Sequence, residues 1–269
     1  MDCSSRRHFL CVAGLGVAGA LLTTRAAAQA PASAGPVDPA LIEDLVAANR
    51  ILVDQGVMDG YGHVSVRHPA DPQRYLMSRS IAPELVTAAD VMEYDLDSTP
   101  VDARGRATYL ERFIHGEIYR ARPDVKAVVH DHSPSVIPFG VSTTPLRPLY
   151  HMSAFLGGGV PVYDIKTTSG RSTDMLVRDG VLGRALAQTI GQRPVALMRG
   201  HGAVIVGASL PIVVFRSVYT EMNARLQAQA MALGGPLTFL DAEEARLYYA
   251  TPDPYGRAWE LWKRKAMAK

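Results

Sequence analysis

Cysteine is almost missing from this 269-residue chain: the two it has, Cys3 and Cys11, both lie near its start. Beyond Cys11 there is no disulfide to form and no thiolate to offer a metal or a substrate. Metal and catalytic work there must fall to His, Glu, Asp and Tyr. A surplus of charge is missing too. With residues 1–28 set aside, three of the 28 basic and one of the 26 acidic residues go, and the charges balance. That balance gives no argument for a nucleic-acid or membrane partner. Internal repeats and composition breaks are lacking between residues 37 and 269. Long apolar runs are absent as well, save one from Phe9 to Leu22, too short to span a bilayer and right for the apolar part of a signal peptide.

That run follows Ser4-Ser5-Arg6-Arg7-His8-Phe9-Leu10, and paired arginines in this setting mark twin-arginine export, which carries folded proteins. Ala26-Ala27-Ala28 supplies a small-residue cleavage site, with Ala28-Gln29-Ala30 as a second option. Residues 1–28 are therefore expected to be removed and the mature protein to be periplasmic. Residues 29–36 read as a linker and 37–269 as one α/β domain.

Asp38-Pro39 starts a helix, with Asp as N-cap, that runs through Val53. His63–Arg67, Tyr75–Met77 and Val91–Leu96 read as strands. A helix is expected from about Leu110 to Arg120, stopping before Pro123. Val125–His132 is the next strand, and Thr173–Ile190 reads as helix, ending at Gly191. Val195–Met198 and Ala203–Val206 are strands joined by Arg199-Gly200-His201-Gly202. Pro211–Leu233 is the longest helix, and Ala242–Tyr249 a last one before a tail with Trp259 and Trp262.

His130-Asp131-His132 ends an apolar β run. Residues two apart on a strand share a face, so both imidazoles can meet one cation while Asp131 turns away. Polar residues ending a strand are the plainer alternative. His201 adds a third imidazole, and Gly200 and Gly202 beside it permit a tight turn and close backbone approach. Three neutral imidazoles with an open position suit one Zn²⁺ per chain, with Mn²⁺, Fe²⁺ or Co²⁺ as alternatives. Thr108-Tyr-Leu-Glu111 fits a capping box, in which Glu111 only caps a helix; equally, its carboxylate can lean into the crevice as base or fourth ligand. His115, one turn later, reads as a packing or supporting histidine.

These segments together resemble the class II aldolase/adducin family. Glu111-x-x-x-His115-x-x-x-Tyr119-x-x-Arg122-Pro123-Asp124 is followed by Ala127-Val-Val-His130-x-His132. Arg199-Gly-His201-Gly202-x-x-x-x-Gly207 and Gly62-His63-Val64-Ser65-Val66-Arg67 complete the pattern, which covers nearly all of residues 40–235. The resemblance implies that His130, His132 and His201 bind the metal and that Glu111 is the base or a resting ligand. It also implies a three-layer α/β/α sandwich around a mostly antiparallel sheet, assembled as a homotetramer with active sites between subunits.

Departures from the family bear on the substrate. Sugar-phosphate aldolases place two serines before the glutamate; here Tyr109-Leu110 stand there, and Leu cannot donate a hydrogen bond. Ser78-Arg79-Ser80 replaces a Thr-Gly phosphate loop, and His63 an asparagine. A small carboxylate is the expected substrate, met by His63, Ser65, Ser78, Arg79, Ser80 and Tyr109. Arg79 is a candidate carboxylate clamp. His151 falls where related aldolases place a proton-donating tyrosine from the adjacent subunit. The changes resemble the branch that decarboxylates hydroxylated aromatic acids or their ring-opened products. Alternatives are a retro-aldolase for an unphosphorylated hydroxy-keto acid, a non-haem iron oxygenase and a non-enzymatic adducin-like module.

Overall fold

The computed structural model describes residues 30–249 and 255–268, so the expected signal peptide and its cleavage site lie outside the described residues. The helices are α1 (Pro39–Asp54), α2 (Phe113–Ala121), α3 (Ile137–Val141), α4 (Ile165–Ser169), α5 (Gly180–Ile190), α6 (Leu210–Ala232), α7 (Ala242–Tyr249) and α8 (Gly256–Met267). The strands are β1 (His63–Arg67), β2 (Arg74–Ser78), β3 (Val91–Asp95), β4 (Ala127–Asp131), β5 (Val162–Tyr163), β6 (Val195–Met198) and β7 (Gly202–Gly207). They form one seven-stranded sheet in the order β3-β2-β1-β4-β7-β6-β5. Every pairing is antiparallel except that of β5 with β6.

Both faces of the sheet are covered, so its central strands β1, β4 and β7 are buried along their whole length. On one face Val64, Val66, Ala127, Val129 and Ile205 pack against α1, α6 and α8. On the other, Val128, Val204 and Val206 pack against Ile114 and Ile118 of α2 and Leu186 and Ile190 of α5. Each such valine, leucine or isoleucine contributes about 1.5–3 kcal/mol when fully buried. The result is the expected three-layer α/β/α sandwich. Strand alternation then settles where chemistry can occur. His63, Ser65 and His130 turn away from the α1 face, and His63 pairs in register with His130 across β1 and β4.

Helix α1 begins as expected, with the Asp38 carboxylate accepting the Ala40 amide hydrogen. Residues 30–38 have no regular structure. They lie against the sheet edge, where Ser33 and the Ala34 amide donate to Glu93 and Arg74 donates to the Ala32 carbonyl.

Three expectations need correction. The helix anticipated from Thr173 starts only at Gly180, capped by Asp179, whose side chain accepts from the Val181 and Leu182 amides. Ahead of it Met175 has a φ of 68°, in the left-handed region that no helix tolerates. The segment around Trp259 and Trp262 is a helix, α8, whose two tryptophans are buried in the α1-side core. The helix expected from Leu110 opens as a 3-10 turn over Leu110–Arg112, with Glu111 at φ −91°, ψ 17° and no side-chain cap.

Candidate metal centre

Two loops and one strand end converge on the α2 side of the sheet. His130 is the penultimate residue of β4, and His132 lies just beyond that strand. His201 sits in the turn between β6 and β7, where Gly200 takes a φ of 62°. A Cβ on Gly202 would meet the Asp131 carbonyl oxygen at 1.9 Å, so only glycine lets the turn press against the end of β4. Glu111 enters from the kink ahead of α2.

The backbone aims these side chains. His130 Nδ1 donates to the Ala203 carbonyl and His201 Nδ1 to the Met175 carbonyl, each at 3.0 Å. Hydrogen on Nδ1 leaves the Nε2 lone pair of both rings free. The Val177 amide donates to Glu111 Oε1 at 2.9 Å, which leaves Oε2 facing the histidines. Glu111 Oε2 lies 3.5 Å from Nε2 of His130 and of His201, and His132 Nε2 lies 3.0 Å from His201 Nε2. Ligand atoms of these four residues all fall within 4.8 Å of one another.

This arrangement fits a divalent cation. Nitrogen and oxygen ligands at about 2.0–2.2 Å from a tetrahedral metal sit about 3.4 Å from each other. His130 Nε2 is fully buried and has no hydrogen-bond partner among the described residues, a cost that a cation among these lone pairs would remove. The capping-box reading of Glu111 falls, because its carboxylate is held by Val177 and faces two imidazoles.

Charge follows geometry. Burial alone would raise the Glu111 carboxyl, but positive charge facing it, carried by His130 and His201 when protonated and by a cation when they are neutral ligands, would outweigh burial and hold it well below the ordinary value. Burial pushes His132 down to about 4 and His115 to about 3, and lowers His63 well below its ordinary value. Burial likewise raises Asp131, the last residue of β4 and between His130 and His132 in sequence, to about 8.

The centre floors a pocket of about 360 Å³. His63, Ser80 and Tyr109 of the expected contacts line it, together with Tyr61, Ile81, Leu110 and Leu176. The Tyr109 hydroxyl donates to the Ile81 carbonyl at 2.6 Å, so its ring rather than its hydroxyl is offered to the pocket. Ser65 and Ser78 are corrected: both are fully buried, Ser65 bonded to His115 and Tyr119 and Ser78 to Tyr109, and neither lines the pocket. Arg79 spends its Nε on Asp90 at 2.6 Å and stands beside the pocket-lining Ser80. His151 is exposed, packs against Tyr150 and Tyr248, and is not among the residues lining the pocket of this chain. The segment around Met175 and Val177, read as helix, was missed as part of the site. The backbone carbonyl and amide that hold His201 and Glu111 carry no side-chain signature.

The profile of the class II aldolase and adducin N-terminal domain matches residues 43–228. The decarboxylase tropJ of Talaromyces stipitatus is 36% identical over 247 residues, covering 83% of this chain and 93% of that protein. A 3,4-dihydroxyphthalate decarboxylase from a Terrabacter species is 33% identical, covering 73% of this chain and 84% of its own. Among solved structures, an aldolase II superfamily protein from Pseudomonas syringae superposes with a TM-score of 0.73 at 24% identity, covering 86% of this chain and 95% of that one.

Proposed function

This chain belongs to the class II aldolase and adducin family and is a lyase, and from that premise we propose that it decarboxylates a hydroxylated aromatic carboxylic acid with the help of one divalent metal, zinc being the best match to the donors. The observation that carries the reading is four converging donors, Glu111, His130, His132 and His201, the first three of which line the floor of a pocket with apolar walls. A non-enzymatic module has no physical use for such a cluster.

A bound divalent cation supplies Lewis acidity, polarising substrate oxygens and offsetting the negative charge that carbon–carbon cleavage leaves. His130, His132 and His201 would hold it, with Glu111 as resting ligand or base. Glu111 stays ionised, and with Oε1 tied to Val177 its Oε2 is the atom able to take a proton from a ring hydroxyl. It returns that proton to the ring carbon as the bond to the carboxyl group breaks and carbon dioxide leaves. Atoms and charge then balance with no oxidant. Leu110, Leu176, Ile81 and the ring of Tyr109 suit a flat aromatic ring and offer nothing to a phosphate. The decarboxylating relatives act on acids of this class by name.

The mature protein we propose is a periplasmic homotetramer, exported through Arg6-Arg7 and placing the exposed His151 of one chain at a neighbour's site. The test of the function is incubation of the metal-loaded protein with 3,4-dihydroxyphthalate without oxygen. Carbon dioxide and a dihydroxybenzoate, with no aldehyde, are expected. An aldehyde or ketone fragment would instead establish a retro-aldolase, and strict oxygen dependence an oxygenase.

A further inference from the structure

Behind the pocket wall lies a row of buried polar side chains that the reaction above does not use. His63 Nδ1 is 2.6 Å from His115 Nε2, His115 Nδ1 is 2.6 Å from Ser65 Oγ, and Ser65 Oγ is 2.8 Å from Tyr119 Oη. All four residues are buried, His63 and Ser65 on β1 and His115 and Tyr119 on α2. Each of the three contacts has room for one hydrogen, and a reversal at Ser65, which would then accept from both neighbours, would leave the hydrogen of that fully buried hydroxyl without an acceptor among the described residues, so the row runs in one direction.

The two directions are not equivalent. If the hydrogens run from Tyr119, its hydroxyl donates to Ser65, Ser65 to His115 Nδ1, and His115 Nε2 to His63 Nδ1. Every hydrogen then has an acceptor, and the remaining hydrogen of His63 sits on Nε2. If the row runs the other way, His63 carries its hydrogen on Nδ1, and the Tyr119 hydroxyl hydrogen is left without an acceptor among the described residues. That ring is 1% exposed, so water cannot serve it. A buried donor left unmade costs more than a made hydrogen bond gains. The first direction wins.

We propose that this row fixes His63 as a neutral donor with its hydrogen on Nε2, and that His63 gives that hydrogen to an anionic oxygen of the substrate. His63 lines the pocket, and Nε2 is its one nitrogen with no partner among the described residues. His115, Ser65 and Tyr119 are positioning residues: they never reach the substrate, and they decide which ring nitrogen of His63 is a donor. The second half of the proposal rests on the carboxylate reading of the site. The first half does not.

The tautomer is read by nitrogen-15 resonance of histidine-labelled, zinc-loaded protein, with His63 assigned from the signal lost in His63→Gln. Hydrogen on Nε2 is expected; hydrogen on Nδ1 overturns the proposal whether or not the enzyme releases carbon dioxide. In Ser65→Ala the His63 signal is expected to become a mixture of both tautomers with zinc content unchanged, an effect that a merely structural serine would not produce. Donation is read by calorimetric binding of 3,4-dihydroxybenzoate. His63→Leu, with no donor, should bind about 10- to 100-fold more weakly, while His63→Gln, which keeps an N–H, stays close to wild type. Wild-type affinity in His63→Leu overturns the donor role. Failure of wild type to bind the probe, with the Nε2 tautomer found, counts against the carboxylate reading and leaves the tautomer assignment standing.

Discussion

The Glu111 carboxylate is held by the amide of Val177, 66 positions further along the chain. In the local sequence Glu111 is equally a helix cap and a base, since the spacing Thr108-x-x-Glu111 serves both. The family motif around it favoured the base, and the structure supplies the physical reason. Glu111→Gln separates the two roles: the amide oxygen still accepts from Val177, but no ionisable group remains. The rate should fall by about 10²–10⁴, with little change in melting temperature; full activity would remove Glu111 from the chemistry. His115 gives a pH prediction. Burial, aided by the neighbouring His130, lowers its native value to about 3 from an ordinary 6.5. Below pH 6.5 the unfolded chain therefore takes up a proton that the native one refuses, so stability present above that pH is lost as pH falls toward the native value. The slope from this one ring is up to about 1.4 kcal/mol per pH unit. Denaturant titrations across that range should show a shallower slope in His115→Gln, and an unchanged slope would contradict the assignment.

At the scale of elements, the strands other than the two-residue β5 and the helices α1, α6 and α7 were legible because period and capping residues state them locally. Asp38-Pro39 and the β-branched runs are signals of that kind. The histidine pair at the end of β4 was legible for the same reason, through the two-residue repeat of a strand. The segment from Thr173 to Asp179 was not. Its composition permits a helix, and what prevents one is tertiary: the Met175 carbonyl and Val177 amide are engaged by His201 and Glu111 instead. Burial of Ser65 and Ser78 was hidden too, because a serine on a strand reads alike whether it faces a pocket or a helix. The turn bearing His201 offers a direct check. Gly202→Ala places a methyl against the Asp131 carbonyl, where backbone must move. It should cost about 1–3 kcal/mol by chemical denaturation and lower metal occupancy with it. Unchanged occupancy would show that the close approach of this turn does not position His201.

For the whole molecule, seven strands between two helical layers bring a strand end, a hairpin turn and a helix entrance to one point. The centre is thus a product of topology rather than of any single segment. Export of such a site already folded would let its metal be chosen before crossing. Replacing Arg6 and Arg7 with lysine should hold the precursor in the cytoplasm; undiminished periplasmic recovery would point to ordinary secretion. The central claim is that carbon dioxide release depends on a cation held by Glu111, His130, His132 and His201. It is tested most directly by stripping the purified protein with chelator, adding zinc or another divalent ion back in measured steps, and following carbon dioxide release from 3,4-dihydroxyphthalate without oxygen. The rate should be negligible in the stripped protein and rise linearly to a break at about one metal per chain, whereas full-rate release from the metal-free protein would contradict the account.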